Sequence, residues 1–192
     1  FHQASAGLSE ACTKTLLDFS YLEAKLIAMG VQELIDDYDL VSMAGVSNDS
    51  EKTLSLLQGA LRLSAHILAK DPFQLPSQMT GRLKGFAEGT IQDFLEQIRQ
   101  KVKYPWLRPL DSHLEAPGGA LVRTMVGNSI GENSVRLTPD NQKIISVGMR
   151  DIEIWDFTMG ICLNTIIAHK LQVSDIAITS DGLRAVTASW DK

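Results

Sequence analysis

The C-terminal part of the chain repeats itself at a spacing of 41 residues. Shifting the sequence by this distance places Asp140 on Asp181, and apolar positions fall on apolar positions, as with Leu137 on Ile178. Short apolar runs alternate with turn dipeptides such as Asp181-Gly182. A repeat of this kind buries its apolar face only by packing against its neighbours. We therefore predict a β-rich repeat architecture from residue 121 onward.

The repeat pattern predicts seven short strands. They span residues 121–126, 135–138, 143–147, 152–157, 161–167, 174–179 and 184–188. A period near 41 residues with four strands in each unit matches one blade of a β-propeller. The segment 121–192 is therefore predicted to hold one full blade and parts of two others.

The segment 1–103 has the apolar spacing of helices instead. We predict two short helices that end near Gly30, because glycine is the usual residue beyond a helix C-terminus. The polar run at 45–50 is predicted to be a loop, and its last residue, Ser50, to cap a long helix over 51–69. Thr90 is predicted to open the last helix. This segment is thus an all-α helical arm.

A Pro- and Gly-rich segment separates the two patterns. Residues 104–120 hold three of the six prolines and two adjacent glycines, a composition that supports neither a helix nor a strand ladder. We interpret it as a linker whose apolar residues pack onto one neighbour. The predicted fold class is α+β in two segregated parts: the arm at 1–103, the linker at 104–120 and the partial propeller at 121–192.

Several motifs of the C-terminal part resemble the WD repeats of β-propellers. They are the Ile-Glu-Ile-Trp-Asp run at 152–156, the Ala-His pair at 168–169, the Thr-Ser-Asp-Gly run at 179–182, and the Ala-Ser-Trp-Asp run at 188–191. In WD repeats a His, a strand Ser or Thr, a turn Asp and the Trp form a hydrogen-bonded chain that ties the strands together. The resemblance implies a structural role of this kind for Trp155, Asp156, His169, Asp140, Asp181, Asp191, Ser146, Thr187 and Ser189.

The two repeats are not equally complete. In the second, the resemblance implies a set made of His169, Asp191 and either Thr187 or Ser189. In the first, Trp155 and Ser146 are present, but Asn128 occupies the position where His is usual, so its network is expected to be incomplete. Without the 41-residue register, Trp155 would be interpreted as a plain core aromatic and His169 as a surface imidazole.

The helical arm also carries a resemblance. The runs at 16–26, 34–40 and 58–72 resemble the helical region that joins the nucleotidase module to the propeller in STAND-type (NACHT or NB-ARC) signalling ATPases, and 105–109 resembles the segment that enters that propeller. The resemblance implies that ligand sensing by the propeller is relayed through the arm to a nucleotidase module before residue 1. Because the chain begins with Phe1 and stops just after an apolar strand, we expect both ends to be cut.

Charge and cysteine content exclude several other classes of protein. Eighteen Lys and Arg residues against 23 Asp and Glu give a net charge of −5, which argues against binding to nucleic acid or to an anionic membrane. No apolar run reaches the length of a membrane span, and the N-terminus lacks the layout of a signal peptide. Cys12 and Cys162 form neither a disulfide framework nor a metal-ligand spacing. A cytoplasmic location is predicted.

The residues that hint at catalysis have simpler interpretations. Glu51-Lys52-Thr53 ends like a phosphate-binding loop, but Glu51 and Val46 occupy the positions of its required glycines. Asp36, Asp37 and Asp39 are expected to form a solvated surface. The histidines show no metal-ligand spacing, and neither cysteine has a nearby partner for nucleophilic chemistry; the histidines are His2, His66, His113 and His169. We predict no catalytic, cofactor or metal site.

These patterns favour a non-catalytic protein-interaction scaffold, the helical connector and first propeller blades of a signal-transduction ATPase. It is expected to bind a protein partner through the propeller surface and to self-associate through open blade edges. The alternative is a propeller-based enzyme with an active site on the propeller axis. Such a site needs loops from several blades and would be incomplete in this chain.

Overall fold

The computed structural model describes residues 9–43, 48–127, 131 and 133–191. The chain divides into two compact units, Phe1–Thr124 and Met125–Lys192, called unit 1 and unit 2 below. In its described residues unit 1 is helical, whereas unit 2 holds antiparallel sheets. This order confirms the predicted fold class. Of the positions discussed above, His2, Val46 and Asn128 lie outside the described residues.

Unit 1 is built from short and medium-length helices. They are α1 Ser9–Leu16, α2 Phe19–Met29, α3 Val31–Met43, α4 Asn48–Leu68, a 3-10 turn Pro72–Gln74, α5 Leu75–Leu83 and α6 Gly89–Lys101. The Asp18 carboxylate caps α2 by accepting from the amides of Ser20 and Tyr21, and Gly30, at a φ of +95°, ends it. Helix boundaries therefore follow local capping chemistry.

The start of α4 differs from the prediction. The helix begins at Asn48, so Ser50 lies within its first turn rather than at its N-cap. Asn, Asp and Ser cap helices about equally well, and the three occur in succession here. The sequence pattern therefore located the helix but not its first residue. The predicted loop at 45–50 is helical from residue 48 on, and its residues 45–47 lie outside the described part of the chain.

A single apolar core joins the helices of unit 1. Leu22, Leu57 and Phe94 are fully buried in it, and the rings of Phe19 and Phe94 meet edge to face at 6.2 Å between centroids. The buried Tyr38 hydroxyl donates to the Leu16 carbonyl at 2.9 Å, which satisfies its polar end inside the core. The arm thus has a core of its own.

The Pro- and Gly-rich segment 104–120 lies within unit 1 and packs onto its helices. Trp106 packs against the apolar core. Two helix glycines allow close approach: a β-carbon at Gly81 would lie 2.7 Å from Leu114 Cδ1, and one at Gly59 would lie 2.9 Å from Pro117 Cβ. The segment is therefore part of the helical unit, and the division between the two units falls after Thr124.

Unit 2 contains two antiparallel sheets in its described residues. β1 Ser134–Leu137, β2 Lys143–Val147, β3 Asp151–Asp156 and β4 Cys162–Ile167 form a four-stranded sheet in that order, and β5 Val173–Ile178 pairs with β6 Ala185–Ser189. Asn141, Gly160 and Gly182 have positive φ at the turns between strands, as the turn dipeptides predicted. Val147, Val173 and Ile176 form the buried core of the unit.

The first predicted strand is wrong. Residues 121–127 are irregular, and each described strand pairs with another strand rather than with this run. Apolar, β-branched residues favour an extended chain, but a strand also needs a partner to satisfy its backbone hydrogen bonds. The sequence of the run meets the first condition only.

The acidic run of α3 also differs from the prediction in one residue. Asp36 and Asp39 are exposed, but Asp37 is largely buried between α2 and α3, where it accepts a hydrogen bond from the Tyr21 hydroxyl at 2.7 Å and pairs with Lys25. Burial, together with the Asp37 carboxylate, raises the pKa of Tyr21 to about 12. Helix packing rather than sequence spacing decides which of the three carboxylates is covered.

Candidate functional site

The first part of the candidate site joins β2 to β3. Trp155 is 5% exposed, and its indole N–H donates to the Ser146 hydroxyl oxygen at 3.1 Å. In the strand register Trp155 lies opposite Ile144. Ser146 is two residues beyond Ile144 on β2, so its side chain lies on the same face of the sheet as that of Trp155. The two residues implied for the first repeat are therefore in direct contact.

The second part joins the loop after β4 to the end of β6. His169 Nδ1 lies 3.1 Å from an Asp191 carboxylate oxygen, and His169 Nε2 lies 2.9 Å from the Thr187 hydroxyl oxygen. Because a carboxylate only accepts, Nδ1 carries the hydrogen of the bond to Asp191, and Nε2 shares a hydrogen bond with the Thr187 hydroxyl. We call these three residues the His169 network.

The structure distinguishes between the two hydroxyl residues that the sequence left open. Thr187 contacts His169, whereas the Ser189 hydroxyl donates to the Leu171 carbonyl at 3.3 Å and accepts from the Asp191 amide at 3.3 Å. Ser189 therefore holds the same loop by separate hydrogen bonds.

Asp191 links the network to the main chain. Its second carboxylate oxygen accepts from the Lys170 amide at 2.8 Å. This backbone hydrogen bond, supported by Ser189 and His169, holds the pKa of Asp191 below its ordinary value of 3.8. The loop after β4 is thus fixed at two consecutive residues, His169 and Lys170.

The His169 network has the order of groups seen in hydrolytic triads, namely a hydroxyl, an imidazole and a carboxylate. Thr187, however, lies inside the β5–β6 ladder opposite Ile176. The open groove near the network is lined by other side chains. The hydrogen bonds of the His169 network tie β6 to the loop after β4.

Two aspartates of the repeat, Asp140 and Asp181, each stabilise a turn between strands. Asp140 accepts from the Thr138 hydroxyl at 2.6 Å and from the Gln142 amide at 3.0 Å, and Asp181 accepts in the same way from Thr179 and Leu183. Both carboxylates brace a turn between strands, and neither bonds to the His169 network or to Trp155. The same geometry recurs at the predicted 41-residue spacing.

Asp156 stabilises a different turn from those of Asp140 and Asp181. Its carboxylate accepts from the Met159 amide at 2.7 Å and so braces the turn between β3 and β4. That turn contains Gly160 at a φ of +68°. The residue that follows the Trp thus stabilises a turn and is not part of the hydrogen bond between Trp155 and Ser146.

A polar junction between the two sheets was not predicted from the sequence. The side-chain amide of Asn133 donates to the Val173 carbonyl at 2.7 Å. The Asp175 carboxylate accepts from the Ser134 hydroxyl at 2.7 Å and pairs with Arg136 at 2.9 Å. The 41-residue register aligns Ser134 with Asp175, so a polar residue at the same strand position of both repeats was the available signal.

The residues whose sequence hints at catalysis lie in other structural settings. Glu51, Lys52 and Thr53 lie within α4 rather than in a phosphate-binding loop, and Lys52 pairs with Glu88 at 2.8 Å. In the described part of the chain, no group of three or more His, Cys, Asp and Glu side chains is placed to hold a metal ion. None of the described helices combines the length and the apolar character needed to cross a membrane.

The turn carboxylates predict the acid sensitivity of unit 2. Hydrogen bonds hold the pKa values of Asp140, Asp175, Asp181 and Asp191 below 3.8. A carboxyl with a depressed folded-state pKa contributes stability above its unfolded-state pKa and loses it as the pH falls toward the folded value. We therefore expect the thermal midpoint of unit 2 to decrease progressively below about pH 4.

Asp191→Asn is the variant that tests this expectation. It should lower the midpoint at neutral pH and flatten the acid dependence, whereas Asp93→Asn on the exposed face of α6 should do neither. Tryptophan fluorescence in a Trp106→Phe background reports on unit 2, because Trp155 and Trp190 are its tryptophans. An Asp191→Asn profile that runs parallel to that of the unchanged chain at all pH values would contradict the assignment.

The class of protein is defined by a helical arm followed by antiparallel sheets. Residues 1–80 match the family model of the APAF-1 helical domain. Over its whole length the chain is 26% identical to NACHT domain- and WD repeat-containing protein 1 of Mus musculus and 24% identical to the protein of that name from Homo sapiens. It spans 13% of the length of each of these relatives.

A third relative matches a shorter stretch. Nuclear distribution protein nudF 1 of Talaromyces marneffei is 34% identical over 62 residues, which is 32% of this chain and 14% of that protein. Together the similarities show a helical arm of the STAND ATPase type followed by WD repeats, as the sequence motifs predicted.

Proposed function

We propose that the chain is a non-catalytic scaffold whose WD repeats bind a protein partner and whose helical arm connects them to a signalling ATPase. The observation that carries the proposal is the similarity over the full length of the chain to proteins that are named for a NACHT domain and WD repeats. The propeller arrangement of the blades and a cytoplasmic location belong to the same proposal.

The hydrogen bonds of unit 2 support a binding role rather than a catalytic one. The Trp155–Ser146 bond, the His169 network and the turn carboxylates all fix strands and loops to one another. Their side chains are engaged within the protein, while large apolar side chains remain exposed on the outside. A rigid frame that presents exposed loops is the usual design of a binding module.

The free edge of β6 supports self-association as part of the proposal. Among the described strands, β6 pairs with β5 alone, and Val186 on β6 is largely exposed. Unpaired strand edges of this kind favour pairing with another chain. Sedimentation that shows a clean monomer at all concentrations would remove this part of the proposal.

Selection from a displayed library of protein fragments tests the main proposal. The intact chain is the bait, the heat-denatured chain is the control for nonspecific binders, and amide hydrogen exchange locates each retained binder. We expect protection at the loops and strand edges of unit 2 and no turnover of ATP by the purified chain. Binders that protect only unit 1, or ATP hydrolysis above background, would overturn the proposal.

A further inference from the structure

An open groove of about 390 Å³ lies where three turns of unit 2 meet. We call it the turn groove; its lining residues are Met149, Arg150, Lys170, Leu171, Gln172 and Trp190. Met149 and Trp190 occupy equivalent positions of the 41-residue repeat, so consecutive repeats build its two sides. Its volume falls in the range of about 300–1,000 Å³ that is usual for ligand pockets.

The apolar side chains of the turn groove are unusually exposed. Met149, Leu171 and Trp190 are 52%, 53% and 69% exposed. Single exposed apolar residues are common, but three that line one groove form a patch of the kind that marks interaction sites. Trp is also among the residues that most often dominate binding energy at interfaces. The groove is therefore suited to receive a large apolar side chain.

The charged side chains of the turn groove are both cations. Among the described residues, neither Arg150 nor Lys170 forms an ion pair. The neighbouring Asp191 carboxylate is engaged by His169 and by the Lys170 amide. The charged residues that line the groove are thus two cations, on a chain whose net charge is −5.

Main-chain hydrogen bonds fix the shape of the turn groove. The Arg150 carbonyl accepts from the amides of Ala168 and His169, and the Trp190 amide donates to the Gln172 carbonyl at 3.1 Å. The His169 network adds to these bonds. His169 directly precedes Lys170 in the chain, and Asp191 directly follows Trp190, so the network also fixes the backbone next to these two groove residues. The groove is therefore held in shape before any partner arrives, which lowers the entropy cost of binding.

We propose that the turn groove docks an acidic peptide segment that carries a large apolar side chain. The apolar side chain lies against Met149, Leu171 and Trp190, and carboxylates on either side of it pair with Arg150 and Lys170. This inference rests on the proposed scaffold function and names the chemistry of its partner. The His169 network then has a second role besides joining strands, because it holds Lys170 and Trp190 of the groove in place.

The test uses synthetic peptides and the intact chain. The probe is a fluorescein-labelled pool of short peptides in which a Phe or Leu pair is flanked on both sides by Asp and Glu. One control pool replaces the Phe or Leu pair by Ser, and another replaces the acids by Lys. We expect saturable binding of the first pool alone by fluorescence anisotropy. In the NMR spectrum the indole signal of Trp190 should shift, while that of the buried Trp155 should not.

Matched variants separate the groove from general charge and stickiness. Arg150→Glu with Lys170→Glu should weaken binding about 10-fold or more, because it removes two ion pairs and adds repulsion. Trp190→Ala should weaken it about 5-fold or more. Arg184→Glu and Leu183→Ala, at exposed positions just before β6, are the controls and should bind like the unchanged chain. An unchanged Trp155 indole signal verifies that each variant is folded.

Three results would overturn the inference. The acidic–apolar pool fails to bind, the serine pool binds equally well, or the Arg150→Glu, Lys170→Glu double variant retains full affinity. Fragment selection distinguishes this failure from failure of the scaffold proposal. Binders that map to other surfaces of unit 2 would leave the scaffold function in place and remove only the turn groove, whereas the absence of any binder would remove both.

Discussion

Trp155→Ala should lower the free energy of unfolding of unit 2 by about 3–5 kcal/mol, the usual cost of truncating a buried tryptophan. The side chain is 5% exposed, and its loss leaves a cavity against β2 and an unpaired Ser146 hydroxyl. A small domain has a total stability of only about 5–15 kcal/mol. We therefore expect Trp155→Ala to leave unit 2 largely unfolded at moderate temperature.

Urea denaturation in a Trp106→Phe background measures this effect, with Trp190 as the fluorescent probe. Trp190→Ala is the matched control, because that indole is 69% exposed and its loss should cost no more than about 0.5 kcal/mol. The probe is then Trp155. Equal destabilisation by the two variants would show that Trp155 does not hold the sheet.

A double-mutant cycle isolates the hydrogen bond from the packing of the ring. Trp155→Phe removes the N–H donor, and Ser146→Ala removes the acceptor. The coupling energy between the two changes should be about 0.5–1.5 kcal/mol, since both groups are buried. A coupling near zero would mean that the pair is a packing contact only.

The features that the sequence predicted are those that local patterns encode. The strands from residue 134 onward follow short apolar runs bounded by turn residues. β5 buries both Val173 and Ile176, which are three residues apart, because the strand register shifts between Val173 and Asp175. The turns follow from residues that tolerate positive φ, such as Gly182. The contacts of Trp155 and His169 came from the resemblance to WD repeats and from the repeat register.

The 41-residue register also indicates which hydroxyl residue contacts His169. It aligns Ser146 with Thr187, and the structure places both in the bonds of the Trp155 and His169 sites. Alternation along β6 alone could not choose between Thr187 and Ser189, because residues two apart share a face of a strand. Ser146, the equivalent position in the first repeat, indicates Thr187.

The remaining features depend on which segments meet in space. Asp37 is covered because α2 packs on α3 and brings Tyr21 and Lys25 to it, a contact that the acidic run itself does not specify. Residues 121–126 have the composition of a strand, but no described strand pairs with them. In both cases a distant partner, rather than local preference, decides the outcome.

Arg82→Ala is expected to be the most damaging polar substitution in unit 1. The side chain is 6% exposed, and its guanidinium donates to the Ser64 hydroxyl at 2.8 Å, to the Leu63 carbonyl at 3.2 Å and to the Glu115 carbonyl at 2.8 Å. Burial of the group lowers the pKa of Arg82, but these hydrogen bonds keep its charge solvated. Removing it leaves several buried acceptors without a donor, which should cost about 3 kcal/mol in all.

Two further arginine variants show where this effect arises. Arg82→Lys keeps a charge but loses the planar fork, so it should recover only part of the lost stability. Arg99→Ala removes an arginine whose pair with Glu96 is exposed, and it should cost no more than about 1 kcal/mol. Urea denaturation followed by far-UV circular dichroism at helical wavelengths measures all three.

The bond from Arg82 to the Glu115 carbonyl adds a local effect to the global one, because it ties the segment 104–120 to α5. Arg82→Ala should therefore expose this segment before the helices unfold. Limited digestion with glutamyl endopeptidase should then cut first after Glu115, under conditions in which amides of α4 remain protected from hydrogen exchange. The Arg99→Ala control should be cut at the same rate as the unchanged chain. Simultaneous loss of protection in α4 and in the segment would mean that Arg82 stabilises unit 1 as a whole and does not specifically hold the segment in place.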